Sequence, residues 1–255
     1  MDSKDFAAFI TDLVNESPLN RAPEIGLARI YSKPLVGIAS AHDALFAQLK
    51  EPEIVGPHYL TPTEWLPEAE TVISYFLPYS PEVRLANYNG DLPAREWLYG
   101  RVEGEAFNDA VRRMLVAEVQ SKGGLALAPL HDARYKTVKK RSNWSERHTA
   151  YISGLGTFGL GKSLITELGC AGRFGSVVVN WKIEPTPRTY TGVYDNCTMC
   201  GECIPRCPVG AITVNGKDIW TCSRYLDEIK VRYAPRYGCG KCQTAVACEY
   251  SVPGR

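Results

Sequence analysis

Eight cysteines between positions 197 and 248 carry the most explicit chemistry in this chain. In "CTMCGECIPRCPVGAI", Cys197, Cys200, Cys203 and Cys207 are spaced by two, two and three residues, and proline follows the fourth. This C-x2-C-x2-C-x3-C-P order wraps three thiolates round one [4Fe–4S] cube and sends the fourth to a second cube. Cys222, Cys239, Cys242 and Cys248 supply the remaining thiols. Under the two-cube rule, one set is Cys197, Cys200, Cys203 and Cys248, and the other is Cys207, Cys222, Cys239 and Cys242. Zinc also takes Cys-x2-Cys pairs, but it does not account for three cysteines at successive two-residue gaps followed by Cys-Pro. Two cubes on one short segment would exchange electrons; a purely structural role is the alternative. The ninth cysteine, Cys170, stands apart and reads as a small buried hydrophobe.

A second chemical signal is "GLGTFGLGKS", residues 154–163, which matches the phosphate-loop letters G-x4-G-K-[ST]. Its surroundings do not match. A polar-faced helical stretch precedes it instead of an apolar strand, and no apolar strand ending in Asp offers a magnesium ligand. ATP binding through this loop is therefore the least favoured reading. Gly154, Gly156, Gly159 and Gly161 permit close backbone approach to a ligand, with Lys162 as a contact for an anion. The plainer alternative is a tight turn packed beneath the cysteine-rich segment.

The elements that must position these groups follow an alternating order. Phe6, Phe9, Ile10, Leu13 and Val14 have helical spacing. "KPLVGIAS" and "TVISYFL" read as strands, the second apolar enough to be covered on both faces. Residues 104–122 form the clearest helix, with Phe107, Val111, Met114, Leu115 and Val119 as its stripe. "LALAPL" and "RFGSVVVNWKI" read as further strands, and "SERHTAYIS" as a helix. Residues 1–185 are expected to form one α/β domain, and residues 190–255 a cysteine-rich module behind a Pro-containing connection. With 255 residues and 45% hydrophobic content, the chain can build one core and a small satellite. Its formal net charge of +1 does not announce a nucleic-acid binder. No apolar run is long enough for membrane insertion and no signal-peptide order opens the chain, so a cytoplasmic protein is expected.

"SGLGTFGLGKSLITELGCAGRFGSVVVN", followed by the eight-cysteine pattern, resembles the epoxyqueuosine reductases and their relatives, the reductive dehalogenases. The resemblance implies a nitroreductase-like α+β sandwich domain with a C-terminal ferredoxin-like module carrying two [4Fe–4S] clusters. It also implies a cobalamin between them, reduced through the clusters. The set holding Cys207 would then lie nearer the cofactor, and the backbone from Gly154 to Gly161, with Lys162, would line its pocket. Such proteins use a redox partner such as ferredoxin or flavodoxin and act on a small molecule or on tRNA.

This chain departs from that pattern in several places. The family's proton-donating Asp lies about six residues before the Glu that corresponds to Glu146; here no carboxylate stands between Asp132 and Glu146. Lys136, Lys139, Lys140 and Arg141 occupy the interval, either as an anion contact or as a solvated face. Tyr135 is a replacement proton donor to consider. "CGKCQTAVACEY" puts five residues before Cys248 and lacks the usual Cys-Pro. These departures argue against tRNA epoxide reduction and against a tRNA partner. They favour an iron–sulfur oxidoreductase, or else a non-catalytic electron-transfer or cofactor-handling protein. None of the four histidines has metal-ligand spacing, and His148 is expected to be a hydrogen-bonded structural residue.

Overall fold

The computed structural model describes residues 2–254. The N-terminal part contains α1 (Ser3–Glu16), β1 (Leu35–Ser40), α2 (Ala44–Gln48), α3 (Pro62–Trp65), β2 (Thr71–Pro78), α4 (Pro81–Ala86) and α5 (Arg95–Ser121). The middle contains β3 (Ala126–Leu127), β4 (Thr137–Val138), β5 (Arg141–Ser142), α6 (Glu146–Ile152), β6 (Gly156–Phe158), β7 (Leu164–Thr166) and β8 (Gly172–Val179). The cysteine-rich part adds only β9 (Ile212–Thr213), β10 (Gly216–Lys217) and α7 (Ile219–Tyr233).

The main sheet is open and antiparallel, in the order β1-β2-β8-β3. Every residue of β2 is buried, because the strand separates two cores. Ile73, Tyr75 and Leu77 face a core built with Phe6, Ile10 and Val14 of α1 and Phe107, Val111 and Leu115 of α5. Val72 joins Val178 of β8 against Phe46, Trp65, Trp144 and Ile152. The period-two alternation of a strand thus feeds both layers, which is why its sequence is continuously apolar.

The predicted apolar stripe of α5 is buried except at Met114, which is 44% exposed. The helix starts at Arg95, nine residues before the predicted start at Gly104. Gly100 and Gly104 conceal that first stretch in the sequence. They sit in the helix because Tyr79 and Tyr31 pack where their β-carbons would be, at 2.9 and 2.6 Å. "LALAPL" gives only the two-residue strand β3, because Pro129 opens a 3-10 turn.

The cysteine-rich part packs directly on this body. Arg206 donates to the carbonyls of Tyr88 (2.8 Å) and Thr244 (3.0 Å). The buried Lys241 of "CGKC" donates to the carbonyls of Asn89 (2.7 Å) and Asn87 (3.0 Å). Asn87 returns a side-chain hydrogen bond to the Cys239 carbonyl (3.0 Å). Arg84 pairs with the buried Glu249. Gly169 makes the closest crossing: a β-carbon there would lie 2.3 Å from the Glu249 carbonyl oxygen, and its φ is +77°. The fold is therefore mixed α/β with open sheets and a C-terminal cysteine-rich part.

Candidate functional site

Where the cysteine-rich part meets the sheet there is a cavity of about 660 Å³. One wall carries Cys207, Cys222, Cys239 and Cys242. The lining also takes in α5 (Arg101, Glu105, Arg112), the start of α6 (Glu146, Arg147), β8 (Arg173, Phe174) and Tyr135. A second, tighter cavity is lined by Cys197, Cys200, Cys203 and Cys248, together with Cys170 and Cys242. Among the described residues no three His, Cys, Asp or Glu side chains converge on a point suited to one metal ion. The thiols instead ring these two volumes.

The thiol chemistry suits a multi-iron cluster. Burial raises the Cys203 thiol to about 11, and the neighbouring thiols of Cys242, Cys248 and Cys197 add to the effect. Burial also raises Cys239 to about 11, reinforced by Cys242, Cys222 and Cys207. Thiols packed like this resist ionisation unless a cation is present, and iron bound to sulfur supplies that charge. The protein adds positive charge of its own beside the second set: Lys217 Nζ lies 4.0 Å from Cys242 Sγ, and Arg147 lines the same cavity. The Ala211 amide donates to Cys207 Sγ at 3.2 Å. Cys170 is buried as expected, yet its Sγ lies 3.7 Å from Cys248 Sγ. Sequence separation hides that contact, which arises because the Cys170 amide pairs with the Cys248 carbonyl (2.9 Å).

The glycine-rich segment is a β-hairpin, with β6 and β7 paired antiparallel, and no helix follows it. The Gly159 amide donates to the Ser163 carbonyl and the Lys162 amide to the Gly159 carbonyl, both at 2.8 Å. These amides are used inside the turn, which removes the phosphate-loop reading. Gly159 and Gly161 line the smaller cavity, and a β-carbon at Gly161 would lie 4.0 Å from Cys203 Sγ. Gly154 lies against Thr186 and Pro187, Gly156 is paired within the hairpin, and Lys162 is exposed. None of the five lines the large cavity.

The basic stretch forms the β4–β5 hairpin, with Lys139 and Lys140 exposed at its tip, both at positive φ. Glu146 is the buried carboxylate of the large cavity. Ser176 Oγ donates to its Oε2 (2.5 Å), and Arg112 Nη2 lies 3.4 Å from its Oε1. Oε1 itself has no hydrogen-bond donor. Burial outweighs Arg112 and raises the carboxyl above its ordinary value. His148, two residues along, shares a hydrogen bond through Nδ1 with Ser145 Oγ (2.8 Å).

A family profile described as "4Fe-4S binding domain" matches residues 190–213. An epoxyqueuosine reductase from Listeria monocytogenes is 27% identical over 195 residues, covering 72% of this chain and 49% of its own length. An epoxyqueuosine reductase solved with a tRNA-Tyr epoxyqueuosine-modified stem loop superposes over 96% of this chain and 66% of its own, with TM-score 0.51 and 19% identity. In sequence the chain is similar to epoxyqueuosine reductases, and in fold it is similar to epoxyqueuosine reductases and reductive dehalogenases. A reductive dehalogenase structure described in terms of B12-dependent dehalogenation has TM-score 0.53 and 16% identity, covering 82% of this chain and 28% of that one.

The chain spans about half the length of the curated epoxyqueuosine reductases it matches. One expectation is overturned. The absence of an Asp before Glu146 argued against a tRNA partner, but a relative of this fold is solved bound to a tRNA stem loop. One missing side chain concerns a proton at the reacting atom and says nothing about the surface that holds RNA. Among the described residues no helix is long and apolar enough to cross a membrane.

Proposed function

We propose that this chain is an iron–sulfur reductase. Residues 190–255 hold two [4Fe–4S] clusters, which pass electrons to a cofactor or substrate in the large cavity that they line together with residues 1–185. The first cluster takes Cys197, Cys200, Cys203 and Cys248, and the second takes Cys207, Cys222, Cys239 and Cys242. The observation that carries this reading is the thiol wall of the large cavity: four cysteines face the same space as Glu146 and Tyr135. A corrinoid is the cofactor proposed for that space, where it would supply a reducible cobalt. Support comes from the cavity's position against the second thiol set and from the B12-described relative.

The chain's own residues supply the proton. Glu146 and Tyr135 are the acids proposed for this role among those on the lining, which also include Glu105, Tyr225 and Tyr237, and a lysine or arginine is a poor general acid at neutral pH. Glu146 is favoured because its Oε1 is buried with no donor and its carboxyl holds a proton more readily than usual. The substrate to test first is an epoxyqueuosine-modified tRNA stem loop.

The test is anaerobic purification followed by iron, sulfide and corrinoid analysis, then incubation with reductant and the stem loop. The account expects about eight iron and eight sulfide per chain, a bound corrinoid and loss of the epoxide. Reducible clusters with no corrinoid uptake and no turnover would favour a non-catalytic electron-transfer protein.

A further inference from the structure

The large cavity carries more positive charge than its carboxylates account for. Its lining includes Arg101, Arg112, Arg147, Arg173 and Lys217, against Glu105 and Glu146. Two of these cations have clear partners. Arg112 pairs with Glu105 (3.0 Å), Asp109 (2.7 Å) and Glu146 (3.4 Å), although its Nε has no acceptor. Lys217 faces the thiol of Cys242. That leaves Arg101, Arg147 and Arg173.

Among the described residues Arg101 and Arg147 enter no ion pair. Arg173 meets only Glu105, at 3.1 Å, a carboxylate it shares with Arg112. Arg173 Nε is buried with no acceptor. Arg101 donates to the Tyr237 hydroxyl (2.8 Å) and stacks over its ring (4.6 Å to the centroid), which positions the guanidinium without neutralising it. Arg147 is set aside: it is exposed, it is tied by the Lys162 carbonyl, and its charge faces the thiols of Cys242 and Cys222. Burial lowers the pKa of Arg101, and the charge of Arg173 lowers it further. Partly buried guanidiniums with too little counter-charge, as Arg101 and Arg173 are, favour an anion that completes them. The fork geometry of guanidinium matches the two oxygens of a phosphate or carboxylate.

We propose that Arg101 and Arg173 form an oxyanion subsite in the large cavity, which takes a phosphate or carboxylate group of the substrate. This rests on the reading of that cavity as the substrate site and names the class of substrate it accepts.

The test is isothermal titration of the anaerobically purified, cluster-loaded protein with inorganic phosphate, with benzoate and with neutral benzamide. Phosphate and benzoate should bind saturably, benzamide should not, and added salt should weaken binding. Arg101→Gln and Arg173→Gln should each weaken phosphate at least about tenfold, the equivalent of about 1.4 kcal/mol. Lys139→Gln, on the exposed hairpin, should leave it unchanged. Arg101→Lys keeps the charge and should lose less than Arg101→Gln, which separates charge from disturbed folding. Competition from the modified tRNA stem loop would assign the bound oxyanion to an RNA phosphate; no competition would assign it to a small free substrate.

Equal binding of benzoate and benzamide, or unchanged phosphate binding in both glutamine variants, would overturn the subsite. Reducible clusters with no anion binding would sink this inference alone. Anion binding in a protein whose clusters cannot be reduced would sink the redox reading and leave the subsite standing.

Discussion

Glu146 and His148 sit two residues apart on α6 and are both perturbed by burial, in opposite chemical senses. Burial favours the neutral form of each, so the carboxyl rises and the imidazole falls, the latter to about 4. The His148 shift has a definite pH signature. Between its ordinary value of 6.5 and about 4 the unfolded chain binds the proton and the folded chain does not. Its contribution is therefore present above pH 6.5 and lost as pH falls through that window, by about 2 kcal/mol after discounting for partial exposure. Chemical denaturation from pH 7 to 4 should show this slope, and His148→Gln should flatten it. For Glu146, Arg112 keeps Glu105 and Asp109 as partners in Glu146→Gln, so that variant should fold. If Glu146 is the proton donor, its turnover should fall about 100-fold or more, with Tyr135→Phe losing much less. The reverse ranking would move the role to Tyr135.

At the scale of elements, the periodic segments were the legible ones. α1, β1, β2, α6 and β8 lie where their apolar spacing put them, because each buries the face its pattern marks. The start of α5 was hidden by Gly100 and Gly104, whose reason is a pair of tyrosine rings distant in sequence. The hairpin at 156–166 was ambiguous for a related reason: four glycines signal a turn or a ligand loop alike, and only the β6–β7 pairing separates them. The contacts that dock the cysteine-rich part were not legible, since they join residues more than 100 positions apart. Lys241 is the sharpest case, a lysine between two cysteines that is buried against the Asn87 and Asn89 carbonyls. Lys241→Met should lower stability by about 2 kcal/mol by leaving the Asn89 carbonyl without its donor. A thermal or urea midpoint indistinguishable from wild type would show that water replaces it.

Over the whole molecule, the division of labour follows from what each part can bury. The sheet and its helices form two cores, while the cysteine-rich part has few buried apolar side chains of its own: Ala211, Ile212, Ile229, Val246 and Val252. Such a segment relies on docking and on bound metal to stay ordered, as small metal-organised modules do. The cysteine spacing pointed to the chemistry, but the large cavity was invisible to it, because its walls come from α5, α6, β8 and the thiols together. The central claim is that two clusters stand in series and only the second faces the cavity. Electron paramagnetic resonance of the reduced, anaerobically purified protein tests it most directly, in wild type, Cys200→Ser and Cys222→Ser. The account predicts two interacting [4Fe–4S] signals in wild type. It predicts loss of the first cluster's signal in Cys200→Ser, and loss of the second's in Cys222→Ser. A single signal in wild type, or the same signal lost in both variants, would contradict it.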